Sequence, residues 1–329
     1  MKLLVTGGSG FIGSNFIHRC LNYSKDFTII NLDAMLVGSN PKNLHNINSK
    51  NYKFVKGNIC DRSLVLKLLK KVDCVINFAA ESHVDRSIQN SEKFVNTNIL
   101  GVHSILESLR KNTNVKFLQV STDEVYGDIV KGSYKEQDAL NPSNPYSATK
   151  AAAEMLIKSY LRTYDLNIVT TRCVNNYGPL QFPEKLIPKT ILNASKNEKI
   201  PIHGKGTAIR QWIHVYDHCD AILQIILKWK NNAVYNIQGK NEETNLSVVK
   251  KILKIMNKPE TLIKFTEDRP GQDQRYAINS SLIKKEINFQ PKINFVDGLT
   301  NTVQWYLDNK NRWTSSTLKK ITNSTPWLK

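Results

Sequence analysis

Residues 2–13 read KLLVTGGSGFIG, a short apolar run that breaks into Gly7, Gly10 and Gly13, each three residues from the next. Such a run has the length of a buried strand, and the glycines stand where that strand turns into a helix. Gly7 permits the tight turn, Gly10 lets the backbone approach a pyrophosphate, and Gly13 allows close packing of the helix whose N-terminus faces that phosphate. A second apolar run, Thr28–Leu32, ends on Asp33, twenty residues after Gly13. A carboxylate at that place accepts hydrogen bonds from ribose hydroxyls and repels a 2′-phosphate, so the stretch predicts a dinucleotide site that prefers NAD to NADP. Asn58 and Ile59, which follow a third run, fall where neighbours of the adenine belong.

Outward from this unit, the first two thirds of the 329 residues repeat one pattern of short apolar run, polar or glycine break and helical segment. Candidate strands are Lys2–Thr6, Thr28–Leu32, Lys53–Lys56, Cys74–Phe78, Lys116–Val120, Asn167–Thr171 and, later, Val234–Ile237. Phe94–Lys111 and Ser147–Tyr164 carry apolar residues at helical spacing and are expected as long helices covering the sheet. The pattern predicts an α/β fold, a doubly wound parallel sheet of the Rossmann type. After Arg172 the texture changes to loops punctuated by Pro179, Pro183, Pro188 and Pro201, then mixed short elements. We therefore expect a dinucleotide-binding domain over 1–172 with a return over about 211–240, and a smaller α/β substrate domain over 173–210 and 241–329. The polar end from Asn309 to Lys329 is expected as a loosely packed tail.

Composition narrows the classes further. With 40% hydrophobic and 22% charged residues the chain has the balance of a folded protein rather than a disordered one. The five cysteines, Cys20, Cys60, Cys74, Cys173 and Cys219, are odd in number and scattered, without C-x-x-C pairs or zinc spacing, which suits a reducing compartment and no metal site. Met1 runs into Leu3-Leu4-Val5 and glycines rather than a leader, and no apolar run approaches the ~20 residues that span a bilayer. These features predict a soluble cytoplasmic protein without a membrane partner. The net charge of +18 raises the question of nucleic acid, but the lysines are single or paired and unclustered, which argues against that partner. A diffuse positive field does favour the capture of a small anionic substrate.

Two further stretches carry chemistry. Tyr146 and Lys150 stand four apart in YSATK (residues 146–150), on one face of a helix. An ammonium beside a tyrosine favours its phenolate, a better base for a hydroxyl proton. STDEVYG (121–127) follows the strand Lys116–Val120 and so lies at the carboxyl edge of the sheet, where open α/β sheets bind ligands. A hydroxyl, Thr122, and adjacent carboxyls, Asp123 and Glu124, suit proton transfer at neighbouring atoms, with environments that divide the acids into donor and acceptor.

The ordered set TGGSGFIGS, FAAESHVDRSI, TNILG, STDEVYG, YSATK, NNYGP, QFPEKLIP and DRPGQDQRYAI resembles the extended short-chain dehydrogenase/reductase family, and within it the dTDP-glucose 4,6-dehydratases, over roughly residues 1–300. That resemblance implies NAD-dependent dehydration of a nucleoside-diphosphate glucose to its 4-keto-6-deoxy form, an early step toward L-rhamnose and other deoxysugars. It implies that Tyr146 deprotonates the C4 hydroxyl while Lys150 holds the ribose and Thr122 bonds the reacting oxygen. Glu124 would then remove the C5 proton as Asp123 protonates the departing C6 hydroxyl. Phe11, Ile12, Ala79 and Ala80 join the cofactor's neighbours on the same ground. Ser82 and His83 fall near the sugar, and Asn176, Lys185, Arg210, Asn241 and Arg269 hold nucleotide and diphosphate. The two long helices resemble those that pair across a two-fold axis in this family, implying a homodimer.

The family's usual D-K-x-T-Y-A-G is here Asp33-Ala34-Met35-Leu36-Val37-Gly38, its R-D-W is Arg210-Gln211-Trp212, and its R-P-G-H-D is Arg269-Pro270-Gly271-Gln272-Asp273. These departures leave thymidine and uridine both open as the base. A 4-epimerase or a UDP-glucuronate decarboxylase of the same frame needs the first oxidation but not Asp123. A non-catalytic sensor of NAD would not need Thr122, Tyr146 and Lys150.

Overall fold

A computed structural model of the chain describes residues 1–313. The strands are β1 (Lys2–Thr6), β2 (Thr28–Asp33), β3 (Tyr52–Lys56), β4 (Cys74–Asn77), β5 (Lys116–Thr122), β6 (Ile168–Cys173), β7 (Asn175–Tyr177), β8 (Ile200–His203), β9 (Ile209–His214), β10 (Val234–Ile237), β11 (Asn241–Thr244) and β12 (Ile263–Thr266). The helices are α1 (Phe11–Tyr23), α2 (Arg62–Leu69), α3 (Val84–Gln89), α4 (Glu92–Phe94), α5 (Gly101–Leu109), α6 (Pro145–Tyr164), α7 (Leu186–Ser195), α8 (Val215–Leu227), α9 (Asn245–Ile255), α10 (Ser281–Ile287) and α11 (Phe295–Asp308).

Seven strands form one sheet in the order β3-β2-β1-β4-β5-β6-β10, every neighbouring pair parallel. The Rossmann-type sheet expected from the sequence is thus present, with each expected strand matched to within a residue or two. β4 and β6 are buried along their whole length, because helices cover both faces, and this is why they read as continuous rather than alternating runs. One core lies on each face. Phe16, Ile17 and Cys20 of α1 join Ile222 and Ile225 of α8 on one side, while Val65, Val102, Ile105 and Ile157 pack on the other. Asn77 ties the central strands together at their carboxyl ends, accepting from Thr6 and donating to Gln119 (2.8 Å).

α6 begins one residue before Tyr146 for a local reason. Asn144 accepts from the Ser147 amide (3.0 Å), Ser147 Oγ accepts from the Asn144 amide (3.2 Å), and Pro145 occupies the first turn. The helix expected over Phe94–Lys111 is instead α4, a π-helical segment (Val95–Leu100) and α5. Asn98 is buried in the π-helical segment and explains its use. It exchanges hydrogen bonds with the backbone of Glu81 (2.9 and 3.0 Å) and donates to Thr149 (3.0 Å), pinning the segment after β4 against α6.

Beyond β6 the chain builds a three-stranded sheet, β11-β9-β7, and a two-stranded one, β12-β8, covered by α7, α9 and α11. β9 pairs with β7 and β11, so residues 209–214 lie in this smaller layer, whereas α8 packs on α1 and β10 completes the large sheet. Of the expected tail, Trp313 is buried and stacks on Tyr306 with ring centroids 6.1 Å apart, while 314–329 lie outside the described residues. All five cysteines are free thiols. Among the described residues no helix is long and apolar enough to cross a membrane, and no His, Cys, Asp and Glu side chains group as a metal site.

Candidate active site

Two clefts open at the carboxyl ends of the large sheet and share Phe11, Ile12, Ser82, His83, Tyr146 and Lys185. The first is floored by the turn from β1 into α1. Gly7 has φ +67°, and a Cβ there would stand 2.6 Å from the Ala79 amide nitrogen; a Cβ on Gly13 would stand 2.5 Å from the Gly7 carbonyl oxygen. Only glycine fits those two places. No side chain caps the N-terminus of α1, which leaves its amides directed at the cleft for an anion. Gly10 and the backbones of Ala79 and Ala80 complete the floor, and Asn58 and Ile59 line the far end.

Asp33 is buried at the end of β2, where Oδ2 accepts from the Ser9 amide (2.9 Å) and Oδ1 from the Met35 amide (2.7 Å) and Ser39 Oγ (2.8 Å). The glycine loop and the segment after β2 thus fix the carboxylate from both sides. The role of Ser39 was not legible, because it depends on the fold of a loop that departs from the family's sequence. A glycine cradle, a helix N-terminus without a side-chain cap and a buried acid fit a dinucleotide, with pyrophosphate on the glycines and ribose on Asp33.

The second cleft is lined by Thr122, Glu124 and Tyr146, with Ser82, His83, Asn176, Lys185, Arg210 and Arg269 around them. Asn241 is not brought there. It lies on β11 opposite Trp212, and Asn245, at the start of α9, lines the cleft in its place. Lys185 is held by the Ser82 carbonyl (2.7 Å), Arg210 by the Asp273 carbonyl (2.9 Å), and Arg269 by the Asp85 carboxylate (3.1 Å). Burial pushes His83 down to about 3, so its imidazole is neutral at ordinary pH. Asp85 is a functional candidate that the sequence reading missed, although it stands two residues after His83 in the same motif. It faces His203 (3.7 Å) as well as Arg269.

At the junction of the clefts the catalytic candidates converge. Tyr146 is buried, its backbone amide donates to Ser87 (3.2 Å), and its phenol lies beside the Thr122 hydroxyl. Lys150 Nζ donates to the carbonyl of Val120 (2.7 Å). The expectation that Lys150 lowers the tyrosine pKa is not met in this arrangement. Burial and the neighbouring Glu124 push Tyr146 up, against the pull of the adjacent Thr122 hydroxyl, while burial brings Lys150 down to about 8. Asp123 lies behind the cleft wall, only 2% exposed, and accepts from Thr122 Oγ1 (3.2 Å). Burial, then the charge of Glu124, raises it to about 8, against the pull of Arg210. The division of the acid pair expected from sequence is therefore physical: Asp123 keeps its proton at neutral pH, and Glu124 sits at the cleft surface.

The family described as GDP-mannose 4,6 dehydratase matches residues 4–302. The chain belongs to this family. It is 42% identical over 318 residues to a dTDP-glucose 4,6-dehydratase of Streptomyces niveus, covering 95% of each chain. It is 46% identical over 308 residues to the low-salt glycan biosynthesis protein Agl12 of Haloferax volcanii, covering 93% of this chain and 99% of that one. A solved dTDP-glucose 4,6-dehydratase of Bacillus anthracis, in complex with NAD, matches with a TM-score of 0.90 and 42% identity over 96% of this chain and 99% of that one.

The raised Asp123 predicts a pH signature. Its folded value of about 8 lies above the ordinary 3.8, so the folded chain holds a proton that the unfolded chain releases. Stability from this group is full below pH ~4 and falls as pH rises toward 8, by up to about 1.4 kcal/mol per pH unit. Thermal unfolding across that range should show the protein losing ground to Asp123→Asn as pH rises; a constant difference between the two would remove the buried proton.

Proposed function

We propose that the chain binds NAD in the first cleft and dehydrates a nucleoside-diphosphate glucose in the second, giving the 4-keto-6-deoxyglucose nucleotide. The carrying observation is that Thr122, Glu124 and Tyr146 line one cleft, with Asp123 bonded to Thr122 directly behind its wall. The nucleotide is dTDP-glucose or UDP-glucose, and the product would feed deoxysugar formation. The large sheet serves the dinucleotide, and the smaller layers built around β7, β8, β9, β11 and β12 serve the nucleotide sugar.

NAD, when bound, supplies the hydride acceptor for C4 and, once reduced, the donor for C6. The chain supplies the proton transfers. Tyr146 takes the C4 hydroxyl proton, and Thr122, beside its phenol in the same cleft, holds the reacting oxygen. Burial disfavours the phenolate, so Lys150 acts as a ribose-holding cation whose charge supports it during transfer. Once C4 is a ketone the C5 proton is acidic, and Glu124 removes it at the cleft surface. Asp123, protonated at neutral pH, gives its proton to the leaving C6 hydroxyl. A 4-epimerase or a decarboxylase needs no such acid, and a sensor of NAD needs none of these groups. Asn58, Ile59, Ala79 and Ala80 surround the cofactor, while Ser82 and His83 contact the sugar. Asn176, Lys185, Arg210 and Arg269 hold the nucleotide, the arginines through forked donors suited to diphosphate oxygens.

The unit is a homodimer in the cytoplasm. Val95 and Leu100 beside α5, and Met155 and Tyr164 on α6, are exposed apolar side chains on the two helical segments that would pair across a two-fold axis. Light scattering at micromolar concentration should give a dimer mass, and a monomer would contradict the pairing.

Glu124→Gln separates dehydration from the other reactions of this frame. Oxidation at C4 does not need Glu124, so reduced nicotinamide absorbance should still rise on adding dTDP-glucose or UDP-glucose. Glutamine cannot accept the C5 proton, and loss of a positioned base costs about 10²–10⁴ in rate. Reduced cofactor should accumulate while 4-keto-6-deoxy product falls by that factor. Product formed at an undiminished rate would take the base role from Glu124.

A further inference from the structure

Behind the turn that carries Asp123 and Glu124 lies a buried charged residue outside both clefts. Arg172, near the end of β6, is fully buried. Its Nε donates to both oxygens of Glu154 (3.2 and 3.0 Å), and Nη2 donates to Glu154 Oε2 (2.6 Å). Nη1 donates to the Glu136 carbonyl (3.0 Å) and to the hydroxyl of Tyr126, and the guanidinium lies 4.6 Å from the centre of the Tyr126 ring. Tyr126 in turn donates to Asn236 on β10 (2.9 Å) and stacks on Tyr134.

The connections have a direction. Glu154 is on α6, four residues beyond Lys150 and eight beyond Tyr146, so the three side chains follow one face of that helix. Tyr126 ends the turn that begins at Asp123. Arg172 itself pairs across the sheet with Ser121, the residue before Thr122. A buried ion pair is a poor source of stability compared with apolar packing of the same volume. What a planar guanidinium adds is a fixed spacing and angle between the groups it grips.

We propose that Arg172 is a positioning residue: it clamps α6, which carries Tyr146 and Lys150, to the turn that carries Asp123 and Glu124, and sets the spacing between the oxidation pair and the elimination pair. This rests on the dehydratase reading. Arg172 touches no reacting atom. Its effect passes through Glu154 on one side and Tyr126 on the other.

Tyr126→Phe removes one hydroxyl and loosens the turn while leaving the Arg172–Glu154 grip on α6. In the NAD-loaded protein given dTDP-glucose or UDP-glucose, reduced nicotinamide should form at the normal rate, and kcat for 4-keto-6-deoxy product should fall at least about tenfold with KM nearly unchanged. Reduced cofactor should accumulate during turnover. A purely structural role would lower formation of reduced cofactor and of product together, and that result overturns the proposal, as does unchanged kcat. Near-ultraviolet circular dichroism establishes that the variant is folded. A second readout needs no turnover: infrared titration of the Asp123 carboxyl, assigned by its loss in Asp123→Asn, should shift in Tyr126→Phe and in Arg172→Lys, because lysine cannot grip both partners. An unmoved titration in both variants overturns the clamp. An inactive unmutated protein whose Asp123 titration still moves in the variants overturns the dehydratase reading and leaves the clamp standing.

Discussion

Between β1 and β4 the chain reverses the direction in which it adds strands to the sheet. Helices following those two strands must therefore leave on opposite faces, and a crevice opens at their carboxyl ends. The rest of the molecule is arranged around that constraint. The glycine loop leaves β1 and the Ala79-Ala80 backbone leaves β4, so the dinucleotide floor is made of two strand ends and a helix N-terminus. β5, next in order, delivers Thr122, Asp123 and Glu124 to the same edge, and α6 crosses beside it with Tyr146 and Lys150. The smaller layers then need only cover this edge, which they do through Asn176, Arg210 and Asn245.

Desolvation then determines what each group can do. In water, adjacent Asp and Glu residues would both be ionised at neutral pH. Behind the cleft wall Asp123 keeps its proton because burial and the charge of Glu124 disfavour its ionised form, which Arg210 only partly offsets. The same burial makes Tyr146 a reluctant phenolate and Lys150 a weak ammonium. Each of these costs is recovered only when opposite charge or a reacting oxygen enters the cleft, which couples substrate arrival to proton transfer. Polar bracing must be exact in register for this to work. Asn98 and Arg172 supply it between separate elements, and Asn144 supplies it locally at the start of α6.

The features legible in the sequence are those written in local spacing. Gly7, Gly10 and Gly13, the acid at Asp33, the Tyr146–Lys150 interval and the β-strand before Thr122 all follow from periodicity and turn chemistry. What stayed hidden depends on long-range packing. β7 and β11, with sequences NNY and NEET, have too little apolar content to read as strands; they exist because β9 lies between them. The π-helical segment exists for Asn98, whose partners are seventeen and fifty-one residues away. Asn241 and Asn245 are one helix start apart, and only the fold shows which of them reaches the cleft. Lys150 turning to the Val120 carbonyl, and Asp85 meeting His203, are equally invisible in a linear reading.

One cleft performing both oxidation and elimination is the central claim, and the fate of isotopes in the product tests it most directly. Sugar nucleotide carrying deuterium at C4 should give 4-keto-6-deoxy product with that deuterium at C6, because the reducing equivalent taken from C4 is returned within the same complex. Run in heavy water with unlabelled substrate, the reaction should place one solvent deuteron at C5, where Glu124 exchanges its proton. Loss of the C4 label to solvent or to free cofactor, or a product that keeps its C6 hydroxyl, would contradict the account.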